Sequence, residues 1–175
     1  MQPHEIHRSR SQVKVRVAVL TASTSRYEKK VRGEPFQDES GLLAADILRG
    51  MGYEVEYLGV VKDDILMIRK AVIESLSGDF DILVITGGTG ISPTDVTLEA
   101  VKPFFEKEIE GFGEIFRMES FKQIGAAAML SRAAAGIANG KLVMAIPGSP
   151  KAVETALNLF GREIPHTIFI ARGLH

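Results

Sequence analysis

Residues 81–90 read DILVITGGTG, a short apolar run that ends on a glycine-rich loop. An apolar stretch of strand length without polar alternation belongs in a sheet covered on both faces. Upstream, Val13 to Leu20 (VKVRVAVL) alternates apolar with charged residues and then turns wholly apolar, so it reads as a first core strand. From Gly41, the sequence GLLAADILRGMGY sets Leu42, Leu43, Ile47 and Leu48 on one helical face, and Gly50 and Gly52 supply the stop. Tyr53 to Val61 reads as a second strand. Asp63 to Leu76 repeats the helical pattern through Ile65, Ile68, Val72, Ile73 and Leu76. Strand and helix alternate, which requires right-handed crossovers and gives an α/β fold: three layers, α/β/α, around a mostly parallel, doubly wound sheet.

Downstream of the glycines the pattern is less regular. Thr97 to Lys102 reads as a short helix stopped by Pro103, and Phe112 to Phe121 as another. Strands follow at Ala134 to Ala138 and Leu142 to Ile146, and closing helices at Pro150 to Phe160 and Arg162 to Ala171. The segment TASTSRYEKKVRGEPFQDES, residues 21–40, lacks periodicity and reads as a long exposed loop, the best candidate for a lid. No repeat or linker divides the chain, so residues 13–175 are expected to form one domain behind a flexible polar leader at 1–12.

Composition narrows the function. The formal net charge is -1, which leaves no positive field for a nucleic acid backbone or an anionic membrane. The absence of cysteine excludes a thiolate nucleophile, Cys-ligated zinc and disulfides. The leader MQPHEIHRSRSQ lacks the apolar region of a secretion signal, and no stretch is apolar for the length of a membrane span. A cytoplasmic location is therefore expected.

The chemistry concentrates at strand ends. Thr86, Gly87, Gly88, Thr89 and Gly90 follow a core strand, and a loop without Cβ atoms lets backbone N–H groups close around an anion. The pattern is neither a Walker A loop nor the G-x-G-x-x-G fingerprint, and a tight structural turn would explain it equally well. Pro147, Gly148, Ser149, Pro150 and Lys151 also follow an apolar strand; Ser149 can cap a helix that starts at Pro150. Capping alone needs no ligand, but the dipole and free N–H groups there favour an anion. Two such loops at carboxyl ends of one parallel sheet would face the same crevice and suit a substrate with several phosphates. Asp63 and Asp95 should project near that edge, where carboxylates could hold Mg²⁺ against phosphate oxygens or merely cap the helices that follow. The four histidines lie near the chain ends, so a histidine-based triad or metal site has no support. A substrate phosphate acting as nucleophile is already ionised at neutral pH and needs alignment and charge neutralisation, not a general base.

Three linked stretches, ITGGTGISPTDVTLEA at 85–100, GFGEIFRMESF at 111–121 and AIPGSPKAV at 145–153, resemble the molybdenum cofactor biosynthesis proteins of the MoaB and MogA family. The resemblance runs from Val17 to about Phe169. It implies a molybdopterin-binding α/β domain and a reaction in which the pterin's terminal phosphate attacks the α-phosphate of Mg-ATP, releasing pyrophosphate. By motif, it assigns residues 86–90 and 147–151 to pterin and phosphate contacts, with Asp38, Ser40 and Gly41 of the D-x-S-G stretch in the same pocket. It further implies that Asp63 and Asp95 serve catalysis and metal handling. Glu114 and Arg117 are implied as pocket or subunit-contact residues, although an i, i+3 pair on a helix surface accounts for them too. The family implies a homotrimer or a dimer of trimers, with a downstream metal-insertion protein as partner.

Ser92, Pro93 and Thr94 precede Asp95 where the MogA branch tends to carry Arg, and GEIFRMESF is closer to the MoaB branch. A noncatalytic molybdopterin carrier or scaffold is thus the alternative to the adenylyltransferase. A related hydrolase of the competence-damage family shares a Gly-Gly-x-Gly-x-Thr-x-Asp pattern, but Val96 stands where that family has a second aspartate.

Overall fold

The inner strands of the sheet are those whose sequences lack polar alternation. In the computed structural model, which describes residues 14–174, one sheet runs in the order β2-β1-β3-β6-β5-β4. Its strands are β1 (Arg16–Ala22), β2 (Glu54–Val61), β3 (Ile82–Thr86), β4 (Lys107–Glu108), β5 (Ala134–Ala138) and β6 (Lys141–Ile146). β2, β1, β3 and β6 are parallel, and β5 and β4 add an antiparallel edge. Every residue of β3 is buried, as the apolar run requires, whereas β2 at the sheet's edge alternates exposed with half-buried positions.

The helices are α1 (Thr24–Val31), α2 (Glu39–Gly50), α3 (Ile65–Ser77), α4 (Thr97–Val101), α5 (Glu110–Ile124), α6 (Pro150–Phe160) and α7 (Ile164–Ala171). Successive strand side chains point to opposite faces, and the core divides accordingly. Val17, Val19, Val84 and Met144 pack with Leu48 of α2, Phe116 of α5, Leu157 of α6 and Ile168 of α7. Ala18, Leu20, Leu83, Ile85 and Val143 pack on the other face with Ile68 and Val72 of α3 and Leu98 of α4. The result is the three-layer, mostly parallel arrangement read from the sequence. Among the described residues no helix is long and apolar enough to cross a membrane.

Several boundaries differ from the sequence reading. Residues 24–31 form a helix, not a loop: Ser23 caps it by accepting from the Arg26 N–H. The helix buries none of its residues, so it carries no apolar stripe by which to be recognised. Asp38 caps α2, which therefore begins ahead of Gly41. The β4 strand, two residues long, and the 3₁₀ segment Gly125–Leu130 were outside the reach of periodicity. The last helix starts at Ile164 because a 3₁₀ turn occupies Gly161–Glu163. The leader at 1–12, the first expected strand residue Val13 and the terminal His175 lie outside the described residues.

Gly136 on β5 holds the antiparallel edge against the Phe105 ring: a Cβ built there would stand 2.3 Å from Cγ and 2.5 Å from Cδ2. Overpacking of this kind costs about 1–3 kcal/mol. Gly136→Ala is expected to lose that much stability in chemical denaturation. Combined with Phe105→Leu, which withdraws the ring, it should lose less than the sum of the two single changes; strict additivity would show that the clash is not what matters.

Candidate functional site

The parallel strands end together. Thr21 of β1 is in register with Thr86 of β3, and Thr86 with Ile146 of β6, while β2 ends at Val61 opposite Ala22. The chain leaves β1 toward β2 on one side and leaves β3 toward β6 on the other, so the switch point of the sheet lies between β1 and β3. Crevices in open α/β sheets form at such points. The two glycine loops converge here. The Gly87 N–H donates to the Ile146 carbonyl at 2.9 Å, and a Cβ on Gly148 would stand 3.1 Å from the Gly87 Cα.

Residues 87–90 have a polarity fixed by their neighbours. The Gly87 carbonyl accepts from Thr97 Oγ1 at 2.9 Å, and the Gly88 carbonyl from the Thr97 N–H at 3.0 Å. The Thr89 carbonyl accepts from the Arg132 N–H at 3.2 Å, and the Gly90 carbonyl from Arg132 Nε at 2.8 Å. In a trans peptide the C=O and the following N–H point in opposite directions. With no cis bond among the described residues, capturing these carbonyls on one side turns the N–H groups of Gly88, Thr89, Gly90 and Ile91 to the other. Among the described residues, none of those four N–H groups has a protein acceptor. Such a run of free amides, called the cradle, has the chemistry to hold an anion. Only glycine fits its first half: Gly87 and Gly88 have φ of 94° and 63°, and a Cβ on Gly88 would stand 2.3 Å from Thr97 Oγ1 and 2.5 Å from Asp63 Oδ1.

That contact places Asp63 beside the cradle. Its Oδ2 accepts from the Thr24 N–H at 3.0 Å and from Thr24 Oγ1 at 3.4 Å, while Oδ1 is buried without a partner. Asp63 does not cap α3; Asp64 does, accepting from the N–H groups of Leu66 and Met67 at 3.0 and 2.9 Å. Burial pushes the Asp63 carboxyl above its ordinary value and the nearby Asp95 charge pushes it further, against the Thr24 hydrogen bonds. Asp95 makes no side-chain cap for α4 either. Its Oδ2 accepts from the Ser92 N–H at 3.0 Å, which closes the turn after the cradle.

Asp38, Ser40 and Gly41 reach the rim from beneath. Asp38 is 3% exposed and accepts from Thr21 Oγ1 at 2.6 Å, Ser40 Oγ at 3.3 Å and the Gly41 N–H at 3.3 Å. The Tyr57 hydroxyl also donates to it, and an Arg26 nitrogen lies 3.6 Å away. Burial, followed by the hydrogen bond to Asp38, drives the Tyr57 hydroxyl far above its ordinary pKa. Thr21 Oγ1 and Thr86 Oγ1 are 3.0 Å apart, so this buried network joins β1, β2, β3 and α2 under the cradle. On the neighbouring loop, Ser149 Oγ accepts from the Ala152 N–H at 3.2 Å as the cap of α6. Pro150 opens that helix, and Lys151 is exposed, 3.4 Å from Glu154.

Glu114 and Arg117 do not join this cluster, nor do they pair with each other. Both line a separate cavity of about 830 Å³ that Glu110, Met129, Ser131 and Arg132 also border. Ser131 Oγ is buried there with no partner. Arg132 borders both this cavity and the one that Asp95 lines. The sequence reading missed Thr24, Thr97 and Arg132. Thr97 lies within the 85–100 motif, but nothing marks Arg132 except its distant partners.

The fold and rim define a doubly wound α/β domain with a run of free backbone N–H groups and two carboxylates near its switch point. Residues 18–166 match the family model described as "Probable molybdopterin binding domain", and the chain belongs to that family. It is 41% identical over 156 residues to a protein of Methanocaldococcus jannaschii named "Probable molybdopterin adenylyltransferase", covering 88% of this chain and 92% of the relative. It is 37% identical over 172 residues to the "Molybdopterin adenylyltransferase" of Pyrococcus furiosus, covering 96% and 98%. The crystal structure of the tungsten cofactor synthesizing protein MoaB from Pyrococcus furiosus superposes with a TM-score of 0.81 at 37% identity, covering 91% of this chain and 98% of that one.

The raised Asp63 pKa has a measurable consequence. The folded protein holds this proton more tightly than the unfolded chain, so the Asp63 contribution to stability is fully present below the ordinary value of 3.8 and is lost as pH rises through the folded pKa. Asp63→Asn keeps an acceptor for Thr24 and removes the charge. It is expected to melt above the wild type at pH 7, with the advantage shrinking as pH falls toward 3.8. A variant that melts lower at pH 7, or differs equally at every pH, would contradict this.

Proposed function

We infer that this protein is a molybdopterin adenylyltransferase of molybdenum or tungsten cofactor assembly. The observation that carries the reading is the row of free N–H groups at 88–91 on a loop that also packs against the unpartnered oxygen of Asp63. The names of the two archaeal relatives support the choice of substrates, ATP and molybdopterin.

In the reaction, an ionised oxygen of the pterin's terminal phosphate attacks the α-phosphorus of ATP. The new O–P bond forms as the bond to the bridging oxygen breaks, and pyrophosphate leaves. The cradle holds ATP phosphates through its N–H groups, and the α6 N-terminus with Lys151 receives the neighbouring phosphate. No protein base is required, because the nucleophile carries its charge already. The pterin enters the larger cavity, where Glu114 and Arg117 meet its polar edges and Ser131 Oγ gains the partner it lacks.

The donors at this site suit Mg²⁺. Among the described residues no group of three His, Cys, Asp or Glu side chains could hold a metal alone. Asp63 Oδ1 and Asp95 would supply one or two oxygens and substrate phosphates and water the rest, the usual division of ligands for Mg²⁺. When bound, the ion neutralises charge on the departing pyrophosphate.

Association into a homotrimer or a dimer of trimers follows the same reading. Ile115, Met118, Phe121 and Ile124 recur every three residues on α5 and are exposed, opposite buried Phe112 and Phe116. That face suits a contact between subunits. The enzyme works in the cytoplasm and passes its adenylylated product to a metal-insertion protein.

Purified protein with Mg-ATP and molybdopterin is expected to form adenylylated molybdopterin and pyrophosphate. Asp63→Ala and Asp95→Ala should each lower kcat roughly 100-fold or more, as loss of one charge-stabilising group does elsewhere, with pterin affinity kept within a few-fold. Tight pterin binding without any pyrophosphate release would assign the chain to the noncatalytic carriers.

A further inference from the structure

We propose that Arg132 is a positioning residue that holds the second half of the anion cradle and Asp95 in a fixed relation; this rests on the adenylyltransferase reading. Arg132 contacts the loop at three carbonyls. Its N–H takes the Thr89 carbonyl, Nε the Gly90 carbonyl at 2.8 Å, and one terminal nitrogen the Asp95 carbonyl at 3.0 Å. The guanidinium is itself locked by Glu99: one terminal nitrogen donates to Glu99 Oε1, and the other reaches Oε2 at 3.3 Å. This bond to Arg132 holds the Glu99 carboxyl below its ordinary range.

Glu99 belongs to α4, and α4 also carries Thr97, which captures the carbonyls of Gly87 and Gly88. One short helix, the Arg132 main-chain N–H and the Arg132 guanidinium therefore orient all four peptide units of the cradle. The loop alone does not fix them, because glycines at 87, 88 and 90 leave its backbone free to turn. Without the Arg132 side chain, the peptide unit that carries the Ile91 N–H is free to rotate and Asp95 loses its tie to it, whereas the main-chain N–H of residue 132 still holds the Thr89 carbonyl.

Bulk stability does not account for this arrangement. The Arg132 and Glu99 side chains are 35% and 46% exposed, and exposed ion pairs contribute little to folding. What the pair supplies is planarity and direction: a guanidinium is a rigid fork of donors, and a lysine ammonium cannot span the same acceptors. Arg132 also borders the larger cavity, so a pterin lodged there would press on the residue that orients the ATP phosphates.

The test compares full-length wild type with Arg132→Lys, Arg132→Ala and Glu99→Gln. Backbone ¹⁵N order parameters are measured at Gly88–Ile91, and kcat for adenylylation is corrected for the folded fraction. Wild type should be rigid at these amides, about 0.85, and Arg132→Ala should fall below about 0.6 at Ile91 while Gly88 and Thr89, held through Thr97, stay rigid. Both arginine variants should lose roughly tenfold or more in kcat, consistent with misplacement of reacting groups. Lysine should not rescue, and Glu99→Gln should fall between. Unchanged order parameters and kcat, full rescue by lysine, or a kcat loss that disappears after correction would overturn the proposal. If wild type itself makes no product, the adenylyltransferase reading fails, and the order parameters alone decide whether Arg132 orders the cradle.

Discussion

The planarity of the trans peptide bond governs this site. A carbonyl committed to one side commits the next N–H to the other, and four successive carbonyls, from Gly87 to Gly90, are committed to Thr97 and Arg132. The anion cradle is therefore a consequence of what lies behind the loop. The strand in front fixes where that loop begins. β3 sits at the centre of the parallel set, buried along its whole length, and Thr86 is tied across the switch point to Thr21. The rest of the fold delivers two further elements to the same rim: the capped start of α6, and Asp63 after β2.

Such a site is held against local preference. Asp63 keeps one buried oxygen without a partner, and an unsatisfied buried acceptor costs roughly 1–3 kcal/mol. Gly87 and Gly88 occupy positive φ in space that a Cβ would fill. Beneath them, Asp38 is saturated by Thr21, Ser40, Gly41 and Tyr57. A fully satisfied polar network gives rigidity, whereas an unpaired buried oxygen is costly. The contrast separates Asp38, a carboxylate that braces the rim, from Asp63, which keeps an oxygen unpaired.

The sheet and its flanking helices were legible because apolar periodicity is a local signal, and β1, β3, β6, α2, α3 and α6 all carry it strongly. The glycine loops were legible as candidates because each follows an apolar run, and their meeting at one edge follows from parallel topology. From the sequence Asp63 could have been the cap of the helix after it, and Asp64 read as a solvated first-turn acid; the hydrogen bonds to Leu66 and Met67 show that Asp64 is the cap. α1 escaped notice because it buries nothing, and β4 because two residues have no period. Arg132 was invisible for a different reason. Its meaning lies in carbonyls 37–43 positions earlier in the chain, and backbone acceptors carry no residue identity to search for.

A crystal structure of the protein with Mg-ATP tests the account most directly. Phosphate oxygens are expected within hydrogen-bond distance of the N–H groups of Gly88, Thr89 and Gly90, with Asp63 turned toward the nucleotide. Phosphates bound elsewhere on the molecule, with the carbonyls of residues 87–90 facing the crevice instead of Thr97 and Arg132, would contradict it.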